Sequence, residues 1–256
     1  MIPGFCGISG FEMRCLLKGS NIRKFPQFRA CQEIVQDIIA HSIVSSIRIC
    51  TYNVQAQPPM RSVRDWILEN ASFQDPDLYV FGMQELDRSV GALLYTTSTV
   101  KEDAWFDAIM GDLGDRSDSY QKVSPSDAPQ NRFLLTSLKL FSTQLVGLLI
   151  IILVRKELRH RIKPISSSSA GIGVLNTLGN KGGVAARLQV DDTVLCFVNC
   201  HLQAFEDMTE KRNADFHELT RRLTFPSVPP SEDIAATIGP SVFESDVVFW
   251  LVISPL

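Results

Sequence analysis

Residues 184–199 have the sequence VAARLQVDDTVLCFVN, which contains two apolar runs separated by an aspartate pair. Both runs are rich in residues that favour strands, and a short polar connection between such runs is typical of a β-hairpin. We therefore predict strands at Val184–Val190 and Val194–Asn199, joined by a turn at Asp191-Asp192.

Strand and helix signals alternate on both sides of this hairpin. Strands that mix adjacent hairpins with helical crossovers favour an α/β sandwich with helices outside over a doubly wound parallel sheet. The predicted strands are Ile47–Val54, Leu78–Gly82 and Asp246–Leu251. The predicted helices are Gln32–Ala40, Ala104–Met110 and Asp207–Leu223. Gly111 and Gly114 are expected to end the second helix, and Pro226–Pro230 the third. The last helix is predicted to have an apolar face containing Met208, Phe216, Leu219 and Leu223.

The most apolar run in the chain is Leu145–Val154, which admits two interpretations. A membrane-spanning helix needs roughly 20 apolar residues, whereas this run has about ten and is preceded by Lys139 and Gln144. A strand buried on both faces explains the β-branched composition better. We therefore predict a buried strand here.

Bulk composition narrows the functional class. The 256 residues are 45% hydrophobic and 21% charged, which is typical of one globular domain, and the net charge of -3 gives no broad attraction to nucleic acid. The six cysteines form no C-x-x-C pair, so reduced thiols in a cytosolic protein are expected. Residues 1–20 do not resemble a signal peptide. The signatures of dinucleotide-binding folds, P-loops and nucleophile elbows do not occur in the sequence.

Polar residues at the ends of two predicted strands form the first candidate site. Asn53 ends one strand, and Gln84-Glu85 follows the next. An amide and a carboxylate at adjacent strand ends are suited to Mg²⁺, which takes few protein oxygens and keeps positions for water and phosphate. The alternative is that Asn53 is a turn former and Glu85 a solvated charge.

A glycine-rich block and a histidine form the second candidate site. Gly179-Asn180-Lys181-Gly182-Gly183 combines close backbone approach with a point charge, as an anion site requires. His201 leaves an apolar strand beside a polar loop, where it is placed to meet a substrate. The alternatives are a flexible loop with an exposed lysine and a structural histidine.

Taken in order, these motifs resemble the inositol polyphosphate 5-phosphatases, whose fold is the deoxyribonuclease I-like (endonuclease/exonuclease/phosphatase) β-sandwich flanked by helices. The resemblance covers about Ile47–Leu251 and is strongest for the type II branch. The matching motifs are Thr51-x-Asn53-Val54, Gly82-x-Gln84-Glu85, Leu145-Val-Gly-Leu148, Gly179-Asn-Lys-Gly-Gly-Val184, Val198-Asn-x-His-Leu202, Lys211-Arg-Asn-x-Asp215 and Asp246-Val-Val-Phe-Trp-Leu251.

The resemblance implies a Mg²⁺-dependent hydrolase that removes the 5-phosphate from phosphoinositides or inositol polyphosphates. Glu85 and Asn53 would form the metal site, and His201 would contact the scissile phosphate as a catalytic residue. Asn180 and Lys181, with Arg212 and Asn213, would bind the substrate. The implied partners are a phosphoinositide head group such as phosphatidylinositol 4,5-bisphosphate and a peripheral membrane surface in the cytoplasm, and no nucleic acid is expected.

The chain also departs from the family pattern. After Leu251 the family continues with G-D-x-N-Y-R, whose aspartate orients the attacking water, whereas this chain has Val252-Ile-Ser-Pro-Leu256. We therefore expect an incomplete catalytic domain at 45–251, without the later P-A-W-C-D-R and S-D-H motifs, between an N-terminal extension at 1–44 and an aberrant tail at 252–256. Residues 124–141 are an expected insertion, and Cys200 and Asn176 replace the usual serine and glycine.

Three functions remain open for a chain with this resemblance and these departures. The first is a 5-phosphatase whose present chain is an inactive fragment with an unpaired edge at its last strand. The second is a pseudoenzyme that binds phosphoinositide or a protein without turnover. The third is a nuclease of the same superfold, which the acidic charge balance and the glycine-lysine block disfavour.

Overall fold

Two β-sheets form the centre of the chain in the computed structural model, which describes residues 11–17, 46–59, 62–68, 75–86, 100–122, 147–163, 165–172, 181–203, 206–226 and 239–253. The described strands are β1 (Phe11–Leu17), β2 (Ile47–Asn53), β3 (Leu78–Gln84), β4 (Tyr120–Lys122), β5 (Leu149–Arg155), β6 (Ser166–Gly171), β7 (Gly182–Val190), β8 (Thr193–His201) and β9 (Val247–Ile253).

The strand order combines hairpins with crossovers, as predicted. One sheet has the order β1-β9-β8-β7-β6 and the other has the order β2-β3-β5-β4. The β7–β8 hairpin turns at Asp191-Asp192, with Val190 opposite Thr193, so the predicted hairpin is confirmed. Two neighbouring pairs, β2–β3 and β8–β9, are parallel and require crossovers.

Helices cover the outer faces of both sheets. The described α-helices are α1 (Arg64–Leu68), α2 (Val100–Leu113) and α3 (Thr209–Arg222), and 3₁₀ turns span Gly114–Ser119, Lys156–Arg161, Glu206–Met208 and Val242–Glu244. Ile67 of α1 and Trp105 and Ile109 of α2 pack on the four-stranded sheet. Leu219 and Leu223, at the end of α3, pack on the five-stranded sheet. The result is an α/β sandwich flanked by helices.

Strand β3 shows how the sequence produces these layers. Every residue from Leu78 to Gln84 is buried, because successive side chains point to opposite covered faces. Leu78 and Val80 enter the core between the sheets, whereas Tyr79 and Phe81 enter the core beneath α1 and α2.

The aliphatic run is a strand, as predicted. Residues 149–154 of β5 are buried on both faces between β3 and β4. In the part of the chain that the structure describes, no helix is long and apolar enough to cross a membrane.

Two details of the predicted helices are wrong. Helix α2 continues through Gly111 to Leu113 and stops at Gly114, whose φ of 57° favours glycine. Met208 is 36% exposed and lies in the 3₁₀ turn before α3, so it does not belong to the apolar face of that helix. The predicted helix at Gln32–Ala40 and the whole of the insertion at residues 124–141 lie outside the described residues.

The last strand is paired on both sides, so the predicted unpaired edge is wrong. Strand β9 runs parallel to β8 and antiparallel to β1, with Phe11 opposite Ile253 and Leu17 opposite Val247. Residues 11–17 of the predicted N-terminal extension therefore belong to the larger sheet. Strand β9 also includes Val252 and Ile253, the first residues of the predicted tail.

Three described cysteines are free thiols in these cores. Cys50, Cys196 and Cys200 are buried, and burial raises the pKa of each thiol to about 12. The indole of Trp250 donates a hydrogen bond to Cys200 Sγ at 2.9 Å. These three thiols are not paired with one another, and their raised pKa values make them poor nucleophiles.

Candidate active site

Strand ends bring four predicted residues to one end of the sandwich. Because β2 and β3 are parallel, with Asn53 opposite Gln84, Asn53 and Glu85 emerge at the same edge. Strand β8 ends at His201, which lies opposite Gly182, so Lys181 adjoins His201 at the open end of the hairpin.

The four side chains form a continuous row. Asn53 Nδ2 donates a hydrogen bond to Glu85 Oε1 at 3.0 Å. His201 Nε2 lies 3.6 Å from the same carboxylate oxygen and 2.8 Å from Lys181 Nζ. The Glu85 and His201 side chains are 16% and 13% exposed, so both are largely shielded but still open to solvent. The order of the row is Asn53, Glu85, His201 and Lys181.

The backbone that presents Glu85 is strained and held from the neighbouring loop. Gln55, Ala56 and Glu85 have φ values of 51°, 59° and 55°, in the left-handed region that non-glycine residues rarely adopt. Ala56 N–H donates to Glu85 O at 2.7 Å, and Val54 N–H donates to Gln84 O at 2.9 Å. Strain of this kind persists only where the surroundings enforce it, and it is common at functional sites.

The electrostatics of Lys181 are set mainly by burial, which lowers the pKa of its amine. Glu85 and Asp215 oppose that shift, because nearby negative charges stabilise the ammonium. Asp215 belongs to α3 and also accepts a hydrogen bond from Gln203 N–H at 3.2 Å. Lys181 is therefore a half-buried amine whose positive charge is stabilised by two carboxylates.

The His201 ring has two possible partners for the same nitrogen. In the neutral ring, Nε2 accepts from the Lys181 ammonium at 2.8 Å. In the protonated ring, the same nitrogen carries a proton and faces Glu85 Oε1 at 3.6 Å. His201 Nε2 therefore lies between the Lys181 ammonium and the Glu85 carboxylate.

The donor set fits a hard cation with few protein ligands. Within the described ranges, no group of three or more His, Cys, Asp or Glu residues is arranged to hold a metal. Glu85 is the carboxylate of the row, and Asn53 presents its amide nitrogen to it while its Oδ1 accepts from Gln55 N–H at 3.1 Å. In this geometry Asn53 orients the Glu85 carboxylate, whose oxygen atoms are of the type that hard cations prefer.

The remaining predicted residues are less clearly connected to this row. Arg212 donates to Gln203 O at 3.4 Å and to Thr209 Oγ1 at 3.1 Å, so it braces the loop after β8. Asn213 is exposed on α3. Asn180 lies outside the described residues. Asp215, whose charge acts on Lys181, was not among the predicted site residues, although it belongs to the Lys211-Arg-Asn-x-Asp215 motif.

Comparison with known proteins identifies relatives of the chain. Residues 50–252 match the sequence profile of the Endonuclease/Exonuclease/phosphatase family 2. The mouse type II inositol 1,4,5-trisphosphate 5-phosphatase is 35% identical over 201 residues, covering 78% of this chain and 18% of that protein. The Arabidopsis thaliana type II inositol polyphosphate 5-phosphatase 14 is 31% identical over 222 residues, covering 82% of this chain and 17% of that protein. The chain thus spans about a fifth of the length of these relatives.

A solved structure supports the fold. The inositol polyphosphate 5-phosphatase domain of SPsynaptojanin, in complex with inositol (1,4)-bisphosphate and a calcium ion, matches with a TM-score of 0.61 at 22% identity. The match covers 86% of this chain and 57% of that domain. The predicted endonuclease/exonuclease/phosphatase sandwich is therefore confirmed.

Proposed function

Because the chain belongs to the Endonuclease/Exonuclease/phosphatase family 2 and is related within it to inositol polyphosphate 5-phosphatases, we propose that its site is built for hydrolysis of the 5-phosphate of inositol phosphates or phosphoinositides. The supporting observation is the row of Asn53, Glu85, His201 and Lys181 at one end of the sandwich. It combines a metal-binding oxygen with two groups that can hold a phosphate.

We propose Mg²⁺ as the cofactor, held by Glu85. A largely shielded carboxylate with an amide beside it leaves most coordination positions to water and substrate oxygens, as Mg²⁺ prefers. When bound, the ion would supply Lewis-acid polarisation of the phosphate. The Asn53 side-chain N–H orients the Glu85 carboxylate through a hydrogen bond. The left-handed backbone conformation of Glu85 sets the direction in which its side chain leaves the strand end.

His201 and Lys181 are the proposed phosphate contacts. His201 would donate a hydrogen bond to the scissile phosphate, where the developing negative charge strengthens the contact. Lys181 would bind a second phosphate of the head group already in the ground state. Asn180, Arg212 and Asn213 remain proposed substrate contacts from the resemblance. In the structure Arg212 hydrogen-bonds Gln203 O and Thr209 Oγ1.

The proposed partner is a phosphoinositide head group at a cytoplasmic membrane surface. The row has one lysine and one largely shielded histidine. These two groups suit a small anion such as an inositol phosphate better than a long polyanion such as a nucleic acid. Phosphatidylinositol 4,5-bisphosphate has two phosphates on neighbouring ring carbons, which matches one group for the scissile phosphate and one for its neighbour. Membrane association is part of the same proposal, because this lipid resides in a bilayer.

A second candidate is binding without turnover, favoured by one observation. Strand β9 continues through Val252 and Ile253, at the two positions where the resemblance requires glycine and aspartate. Isoleucine cannot orient or deprotonate a water molecule. The chain as printed would then grip a head group through Lys181 and His201 without hydrolysing it.

The division of roles predicts distinct kinetic signatures. The test protein is a chimera in which residues 1–251 are followed by the corresponding remainder of the mouse type II 5-phosphatase domain. His201→Ala should lower kcat roughly 100- to 1000-fold with a smaller change in KM, because its contact strengthens in the transition state. Lys181→Ala should raise KM roughly tenfold or more with a smaller change in kcat.

Two surface substitutions serve as matched controls. His217→Ala changes an exposed histidine of α3, and Lys163→Ala changes an exposed lysine near the hairpin turn at the opposite end of the sandwich. Both should leave kcat and KM unchanged. Identical signatures for His201→Ala and Lys181→Ala would show that the assigned roles are wrong.

A further inference from the structure

A buried pair of amide side chains joins the two sheets beneath the site. Gln84 is 1% exposed and Asn199 is fully buried. Gln84 Nε2 donates to Asn199 Oδ1 at 2.5 Å and to Thr51 Oγ1 at 2.9 Å. Through this one nitrogen, β3 is connected both to β2 in its own sheet and to β8 in the other.

Asn199 extends the connection to a further strand. Its Nδ2 donates to Met83 O at 2.8 Å and to Leu149 O at 3.0 Å. Met83 and Leu149 are opposite each other at the end of the β3–β5 ladder. The two amides therefore join the ends of four strands, β2, β3, β5 and β8.

Gly82 makes room for this arrangement. A Cβ atom at this position would lie 2.7 Å from Leu251 Cδ2 and 3.2 Å from Asn199 Cγ. The Asn199 side chain can approach β3 only because position 82 has no side chain. The glycine, the glutamine and Glu85 belong to one segment, 82–85.

The orientation of both amides is fixed, and it leaves one buried atom without a partner. Asn199 must direct its nitrogen at two carbonyl oxygens, so its oxygen accepts from Gln84. Within the described residues, Gln84 Oε1 is then buried and receives no hydrogen bond. Such an atom costs stability that an apolar pair of the same shape would not cost.

Chain positions relate this pair to the active site. Gln84 directly precedes Glu85, and Asn199 is two residues before His201 on the same face of β8. We propose that Gln84 and Asn199 are positioning residues, which join the strand ends so that Glu85 and His201 are held 3.6 Å apart across the two sheets. The proposal rests on the function proposed above for Glu85 and His201.

The test compares Gln84→Met with wild type in the full 256-residue chain. The first measurement is the affinity for Mn²⁺, a paramagnetic substitute for Mg²⁺, by electron paramagnetic resonance. The second is hydrogen exchange at the amides of Ala56 and Leu86, which donate to Glu85 O and Gly147 O around the Glu85 turn. We expect Mn²⁺ affinity to fall roughly 10- to 100-fold and exchange at both amides to become about 2- to 10-fold faster.

Ile152→Val is the matched control. It removes one methylene group from the core between the sheets, opposite Val80 and away from the strand ends that carry the site. It should lower the melting temperature without changing Mn²⁺ affinity or the two exchange rates. Thr51→Val is the milder variant if Gln84→Met does not fold, since it removes only one acceptor of Gln84. It should produce smaller changes in the same direction.

The outcomes separate this proposal from the proposed function. Unchanged Mn²⁺ affinity and unchanged exchange in a folded variant would overturn the positioning role. If wild type does not bind Mn²⁺ at all, the metal assignment of Glu85 fails. The exchange rates of Ala56 and Leu86 then decide the positioning role alone, with faster exchange supporting it and unchanged exchange overturning it.

Discussion

Changing Glu85 to alanine in the chimera should lower kcat/KM for phosphatidylinositol 4,5-bisphosphate by at least about 100-fold, because the metal contribution to phosphate polarisation is worth several kcal/mol. Glu85 is the carboxylate of the row, and Asn53 donates a hydrogen bond to it at 3.0 Å. Its removal also leaves that Asn53 donor without this acceptor. The loss should appear with every divalent cation tested.

Two further variants show whether the loss of activity comes from the Glu85 charge. Glu85→Gln keeps an acceptor for Asn53 but removes the charge, so it should lose nearly as much activity as Glu85→Ala while unfolding at a temperature close to wild type. Glu157→Ala removes an exposed carboxylate at the far end of β5 and should have no effect on activity. Wild-type activity in Glu85→Ala would remove Glu85 from the metal site.

The second large effect concerns residues 252–256. Residues 1–256 as printed should release no measurable phosphate under conditions in which the chimera turns over. Ile253 stands where the resemblance requires the aspartate that orients the attacking water, and loss of a general base alone costs typically about 10²- to 10⁴-fold. Phosphate release from both proteins, measured at equal concentration with Mg²⁺, is the comparison.

Binding of an inositol phosphate distinguishes a folded chain without catalytic activity from an unfolded chain. Inositol 1,4,5-trisphosphate should still bind to residues 1–256, and Lys181→Ala should weaken that binding whereas Lys163→Ala should not. Mg²⁺-dependent turnover by residues 1–256 would contradict the role assigned to position 253. The pairing of β9 with both β8 and β1 removes the reason to expect an aggregation-prone edge there, so a folded but silent chain is the expected state.

Local patterns were sufficient to predict much of the fold. The β7–β8 hairpin followed from two apolar runs around Asp191-Asp192, and the buried strand β5 followed from a run too short to span a membrane. The site was predictable for a different reason. Glu85 and His201 each had a structural alternative, and it was the order of the motifs that identified the family and made these residues site candidates.

The remaining features depend on contacts between distant parts of the chain. The pairing of Phe11–Leu17 with β9 joins segments more than 200 residues apart, and no local pattern specifies it. Likewise, Asn199 and Gln84 were visible as polar residues, but their mutual hydrogen bond requires knowing that β8 packs across β3. Helix α2 also continues through the exposed Gly111, because the next turn buries Leu113 in the core beneath the helix.

The most direct measurement is identification of the phosphate that the chimera removes from phosphatidylinositol 4,5-bisphosphate, with Mg²⁺ and with excess chelator. If Asn53, Glu85, His201 and Lys181 form a metal-dependent 5-phosphatase site, the product is phosphatidylinositol 4-phosphate, and it forms only with Mg²⁺. A product that keeps its 5-phosphate, or equal phosphate release in excess chelator, would contradict the account.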